Sequence, residues 1–226
     1  MTKLITASLY NAYLYYAKTD FEVYGEKSEE IEAKARQDFL NTLNKVKLEK
    51  SPAMLKGIQF EDAIRSIAEG NSRDDSIKLP KDANPLEYPL LNRLTDDEYT
   101  CALEIAQKVK GGTWQVKLSK KIGNYLLFGY ADVIKRDVIN DIKRVNQYAE
   151  IGKYEQSIQH LIYLECSPLE HFKYLICDGK SNFEEYYHKD ADNRDKLIGR
   201  IDEMVGFINQ TPEFKTAFEA NWNSKY

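Results

Sequence analysis

The chain has 226 residues, 42% hydrophobic and 30% charged, with a formal net charge of -4. That length suits a single domain over residues 1–226, and the composition excludes a disordered chain. No apolar run approaches the roughly 18 residues of a membrane span, so no membrane partner is expected, and any phosphate binding must come from a local basic patch.

Residues 1–18, MTKLITASLYNAYLYYAK, lack an apolar core ahead of a small-residue cleavage site and do not read as a secretory signal. Ser8 is suited to cap a helix over residues 9–17. Tyr10, Tyr13, Tyr15 and Tyr16 crowd that helix, either as core side chains, the commoner outcome, or as a stacking platform for bases. A second helix is predicted over 28–46, with Glu29, Glu30 and Glu32 in the turns that the helix dipole favours. A third, over 54–68, ends near Gly70. Residues 71–91, with Pro80, Pro85 and Pro89, read as a long loop, and a helix over 96–110 is stopped by Gly111-Gly112.

Three strands follow, 114–118, 125–134 and 138–142, separated by turn-like KKIGN and KRD and expected to form an antiparallel meander. A helix over 153–166 and two strands, 172–177 and 183–188, around the turn Asp178-Gly179-Lys180 come next. Two helices, 191–209 and 212–222, close the chain, Pro212 suiting a first helical turn. The order implies an α/β (α+β) fold: a central mixed sheet flanked by helices, with N-terminal helices in 1–70, a loop in 71–94, a core in 95–188 and C-terminal helices in 189–226. Cys101, Cys166 and Cys177 are odd in number and without CxxC spacing, which argues against a disulfide framework or a structural zinc and for a reducing, cytoplasmic location. His160, His171 and His188 have no ligand spacing and read as structural or exposed.

The chain contains four Asp/Glu-x-Lys triplets, and only Asp141-Ile142-Lys143 stands inside a predicted strand with another aspartate, Asp132, on the strand before it. Alternation gives Asp141 and Lys143 one face and turns Ile142 to the other. A hairpin around Arg136-Asp137 sets Asp132 near-opposite Asp141, where two like charges repel. A divalent cation relieves that repulsion, and two carboxylates, a backbone carbonyl and water suit Mg²⁺. Lys143 beside such an ion would position or deprotonate an attacking water, its pKa lowered by the cation. The plainer alternative is an Asp–Lys pair on an exposed sheet face. Seven cations, Lys117, Lys120, Lys121, Lys135, Arg136, Lys143 and Arg144, fall between residues 117 and 144, as a phosphate-binding patch or as a solvated face.

Gly129-Tyr-Ala-Asp132 followed by Asp141-Ile-Lys143 resembles the core of the PD-(D/E)XK nuclease superfamily, in its RecB-like exonuclease branch. Gln159-His-Leu-Ile-Tyr163 is similar to the Gln-x-x-x-Tyr that the branch carries on the helix after the lysine strand, and Gly57-Ile-Gln-Phe-Glu61 to its upstream acidic motif. Asp62 is a rival for the place of Glu61. The N-terminal ITASLYNAYLYY is more loosely similar to the helix start of many relatives. Ala131 stands where the motif's name has proline, a change that the branch tolerates.

The resemblance implies a Mg²⁺- or Mn²⁺-dependent DNA exonuclease of the stand-alone kind encoded by phages and mobile elements for recombination, repair or DNA processing. It implies Glu61, Asp132, Asp141 and the Ile142 carbonyl as metal ligands, Lys143 as the residue that orients the nucleophile, and Gln159 and Tyr163 as positioning groups. Lys117, Lys120, Lys121 and Arg144 are the candidate substrate contacts. Implied partners are DNA and a single-strand annealing or recombination protein, with a homo-oligomer left open. The four cysteines of iron–sulfur members are missing, so no iron–sulfur cluster is expected, and no GxxxxGK[ST] points to a motor. The rival reading is a non-catalytic nucleic-acid- or protein-binding module on the same fold.

Overall fold

The computed structural model describes residues 2–18, 22–23, 26–47, 49–77, 84–149 and 151–224. Local chemistry sets most boundaries. Thr6 caps the first helix, α1 (Ala7–Lys18), its Oγ1 accepting from Leu9 N at 3.2 Å, so the capping residue is Thr6 and not Ser8. Ser28 precedes α2 (Glu29–Leu43). Ser51 accepts from Met54 N at the start of α3 (Pro52–Ala68), where Pro52 suits the first turn. A capping box of Thr95 and Glu98 opens α4 (Asp96–Val109), and Gly111, at φ 79, leads the chain out of it.

Strands β4 (Thr113–Ile122), β5 (Tyr125–Lys135) and β6 (Val138–Arg144) form the expected antiparallel meander. Strands β7 (His171–Cys177) and β8 (Asn182–His188) form a hairpin turning at Gly179, φ 100, and β7 runs parallel to β6. A strand that the sequence did not suggest, β1 (Lys3–Ile5), pairs in parallel with Tyr125–Leu127; three residues are too few for a legible alternation. Two further short strands, β2 (Glu22–Val23) and β3 (Glu26–Lys27), pair with each other. Of the long loop over 71–91, the stretch with Pro80 lies outside the described residues. The rest contains the 3-10 turn Pro85–Glu87, and Asn92 Nδ2 ties the carbonyls of Asp74 and Ile77, each at 2.8 Å.

Helix α5 (Gln159–Cys166) starts six residues later than periodicity suggested. The backbone ahead of it has tertiary partners that hold it in turns: Arg200 Nη1 donates to the Glu155 carbonyl at 2.9 Å, and Tyr154 N donates to Glu185 at 3.4 Å. Helices α6 (Asn193–Gln210) and α7 (Pro212–Asn221) end the described fold.

The sheet is mixed, in the order β1-β5-β6-β7-β8 with β4 on the other edge of β5, and it is flanked by the seven described α-helices. One face carries the larger core, where Ile139, Phe172, Tyr174 and Ile176 meet Leu9, Leu161, Ile162 and Ile201. On the other face Val133, Ile142 and Leu175 meet Phe60 and Ile64 of α3 and Ile105 of α4. Each fully buried aliphatic or phenyl group contributes roughly 1.5–3 kcal/mol. Tyr10 and Tyr13 belong to the first core, and Tyr16 packs on Phe39 and Phe214; Tyr15 is 55% exposed.

Candidate active site

The sheet opens at its centre. Strand β4 occupies one edge of β5 along nearly its whole length, so β1 and β6 must share the other edge, β1 at Tyr125–Leu127 and β6 from Val133 to Lys135. Between them residues 128–132 have no ladder partner on that edge among the described residues, and their backbone groups need other partners. Tyr163 OH donates to the Tyr130 carbonyl at 2.7 Å. Where the next rung with Asp141 would fall, Asp132 Oδ2 accepts instead from Ile142 N at 2.8 Å. Gly129 permits this approach, because a methyl there would overlap the Tyr163 ring.

Alternation in β5 also breaks here. Leu127 and Ala131 lie in the larger core, whereas Val133, of the same parity, lies in the other. Opposite Asp132, by the register on either side, stands Gln115 with φ 52, a left-handed conformation uncommon outside glycine. That residue was not singled out from sequence, and nothing in TWQVKL announces its backbone.

Asp141 is buried, 1% exposed, and shares with Lys143 the face covered by α5. Its Oδ1 accepts from Gln159 Nε2 at 2.6 Å, and its Oδ2 lies 2.6 Å from Lys143 Nζ. The ammonium engages this buried oxygen as an ion pair. Gln159 Nε2 also reaches Tyr163 OH at 3.3 Å, so amide and phenol, one turn apart, brace both sides of the opening. Glu61 on α3 accepts from Gln115 Nε2 at 2.6 Å. Asp62 is exposed, and its charge acts on Glu61.

Three carboxylates thus stand within one another's electrostatic influence, and the Lys143 ammonium acts on all three. Burial, then the charges of Asp141 and Glu61, push the Asp132 carboxyl well above the usual carboxylate range. Burial also raises Asp141, against the opposing pull of Lys143 and Gln159, and it raises Glu61 against Gln115. For Lys143 burial acts downward, but the adjoining Asp141 and then Asp132 outweigh it and hold the ammonium above its ordinary value. The anionic neighbours thus favour the charged form of Lys143, whereas the lowered pKa expected from the sequence was argued from a cation beside it.

The donor set is hard oxygen with surplus negative charge, the chemistry that suits Mg²⁺ or Mn²⁺, and Asp141 Oδ2 leaves lone pairs for it. An extended residue points its N–H and C=O to the same edge, so the Ile142 carbonyl faces the opening as its N–H does. Among the described residues no three Asp, Glu, His or Cys side chains stand together as a ready chelate, and each carboxylate of the trio is engaged by a protein donor.

The basic candidates do not gather as one patch. Arg144 is a correction: its side chain lies on the opposite face, 6% exposed, paired with buried Glu98 at 2.6 Å and bonded to the Val145 carbonyl, so it anchors α4 and cannot meet substrate. Lys120 pairs with Glu165 at 2.7 Å, and Lys135 caps α4 through the Lys108 carbonyl. Lys117 lies over the Phe128 ring at 5.6 Å, and Lys121 is exposed. His171 and His188, which have no ligand spacing in sequence, are register partners with Nδ1 atoms 3.1 Å apart, and His160 is buried.

No family model and no curated protein matches the chain. Solved structures do. SSO0001 superposes at a TM-score of 0.51 with 14% identity, covering 92% of this chain and 77% of that one. A protein from Eubacterium rectale assigned as an exonuclease superposes at 0.50 with 15% identity, covering 98% of this chain and 83% of that one. The chain shares their fold. Among its described residues no helix is long and apolar enough to cross a membrane.

Proposed function

We propose that the chain is a metal-dependent DNA exonuclease of the PD-(D/E)XK superfamily, RecB-like branch, acting in phage-type recombination, repair or DNA processing. The observation that carries this reading is the buried Asp141–Lys143 pair beside Asp132, at the point where the sheet opens and in electrostatic reach of Glu61. The exonuclease assignment of the E. rectale protein that shares the fold supports it.

Glu61, Asp132, Asp141 and the Ile142 carbonyl would hold Mg²⁺ or Mn²⁺. When bound, the ion supplies Lewis acidity, lowering the pKa of water and offsetting charge on the phosphate. The chain supplies charge and orientation. Lys143, protonated and fixed by Asp141, donates to the attacking water or to a phosphate oxygen and stabilises the charge that develops there. Gln159 holds the Asp141 carboxylate in place, and Tyr163 holds the backbone of Tyr130 against α5.

The test is cleavage of linear DNA with Mg²⁺ or Mn²⁺. Asp141→Ala and Lys143→Ala should each remove it while leaving the circular dichroism spectrum folded, and wild-type cleavage by both variants would sink the assignment. End-labelled linear DNA should be degraded and a covalently closed circle spared; cutting of the circle would make the enzyme an endonuclease. The rival, a binding module without turnover, draws on the lack of a ready three-carboxylate chelate among the described residues. Calorimetric titration with Mn²⁺ separates the two: binding that Asp141→Ala removes supports the enzyme, and no binding at millimolar metal supports the module.

A further inference from the structure

The two faces of the β4–β5 hairpin are covered unequally. Helix α5 packs on one, while on the other α3 and α4 cover β6, β7 and the Val133 end of β5. That leaves Lys117, Ser119 and Lys121 exposed on β4, and Tyr130, 47% exposed, on β5. Here lies a groove of about 460 Å³ with Leu4, Leu126 and Phe128 among its lining and Lys45 and Lys117 at its sides. None of its described lining residues is Asp or Glu, in a chain where the 36 acids outnumber the 32 Lys and Arg.

Both of its lysines lie against rings. Lys45, at φ 54 in the turn after α2, holds its ammonium 4.6 Å from the Trp222 ring. Lys117 Nζ is 5.6 Å from the Phe128 centroid, and Phe128 meets Tyr130 edge-on at 5.3 Å. Tyr130 stands two residues before Asp132, so β5 leads from the groove at Leu126 to the acidic cluster over about 20 Å.

We propose that this groove binds a single strand of DNA whose path continues past Tyr130 to the opening of the sheet at Asp132. The inference rests on the nuclease reading for the destination of the strand, but its chemistry is local. Lysines of the lining meet phosphates, and the half-buried Phe128 together with the exposed Tyr130 beside it accepts unpaired bases, whose faces a duplex keeps stacked and hidden. An acidic protein segment would satisfy Lys45 and Lys117 but offers nothing flat to Phe128 and Tyr130.

The experiment is fluorescence anisotropy with a labelled oligothymidylate of about 12 nucleotides, in EDTA and over a salt series. Phe128→Ala should weaken binding about tenfold, and Lys117→Ala should flatten the slope of log K against log salt by about 0.7. Lys117 is exposed, so its variant tests the groove even where Phe128→Ala loses the fold. Wild-type affinity and slope in Lys117→Ala would overturn the proposal. So would displacement of the oligonucleotide by polyglutamate at equal concentration, which favours an acidic protein partner. Cleavage of linear DNA by the unmodified protein reports separately on the nuclease reading. Groove-dependent binding without cleavage keeps the strand site and rejects the enzyme, and cleavage with Lys117-independent binding does the reverse.

Discussion

At the scale of single residues the chain holds an unfavourable arrangement. Asp132 is half-buried beside Asp141 and within the influence of Glu61, and its carboxyl is raised well above the Asp value of 3.8. A carboxyl raised in the folded state destabilises the fold wherever the unfolded chain ionises it, and this cost shrinks as pH falls below the raised value and is gone below the ordinary one. Asp132→Asn keeps an oxygen for Ile142 N and removes one charge. In EDTA it should therefore raise stability by about 0.5–2 kcal/mol, or about 2–4 °C in Tm per kcal/mol, while removing cleavage. The gap to wild type should narrow on acidification in a calorimetric pH series, and a lower Tm for the variant would show that the charge is already compensated. Asp132, Asp141 and Lys143 were legible as a group because strand alternation and hairpin register are periodic. Gln115 was not, because a left-handed backbone at a non-glycine leaves no mark in sequence.

At the scale of elements the opening between β1 and β6 makes the site, and α5 holds it in shape. There the Tyr163 ring fills the space a side chain at Gly129 would need, and the Tyr163 hydroxyl donates to the Tyr130 carbonyl. Gly129→Ala forces a methyl into the ring, an overpacking cost of about 1–3 kcal/mol. The expected result is a fall of several degrees in Tm together with loss of cleavage, measured by scanning calorimetry and DNA degradation. A variant with unchanged Tm and activity would mean that β5 and α5 are less closely apposed. The sequence marked Gly129, Gln159 and Tyr163 through resemblance and helix spacing, but not what they touch. β1 is too short to announce itself, and contacts of Arg200 and Glu185 with the backbone ahead of α5 set the start of that helix.

At the scale of the whole molecule His160 reports on the integrity of the larger core. It is 5% exposed, stacks on Tyr187 at 4.0 Å, and its Nδ1 finds no partner among the described residues. Burial, with Arg200 adding to it, pushes the imidazole down from 6.5 to about 3. Above pH 6.5 the ring is neutral folded or unfolded and costs nothing. Between 6.5 and about 3 only the unfolded chain takes the proton, so stability falls by up to about 1.4 kcal/mol per pH unit from this group. His160→Phe keeps a ring against Tyr187 and should shallow the acid limb of Tm against pH. Identical limbs in the two proteins would show that the native ring takes the proton freely.

The mixed α/β order, the antiparallel meander, the hairpin turn at Gly179 and the candidacy of Asp132, Asp141 and Lys143 follow from the order of residues alone, because period, turn chemistry and register are local properties. Tertiary contacts settle that Arg144 serves α4, that Lys143 is ion-paired with a buried Asp141, and that β1 and β6 leave an opening along β5. Those outcomes depend on which distant groups become neighbours: the buried Glu98 for Arg144, the desolvated Asp141 for Lys143, and β4, which takes one edge of β5 and leaves the other to be shared.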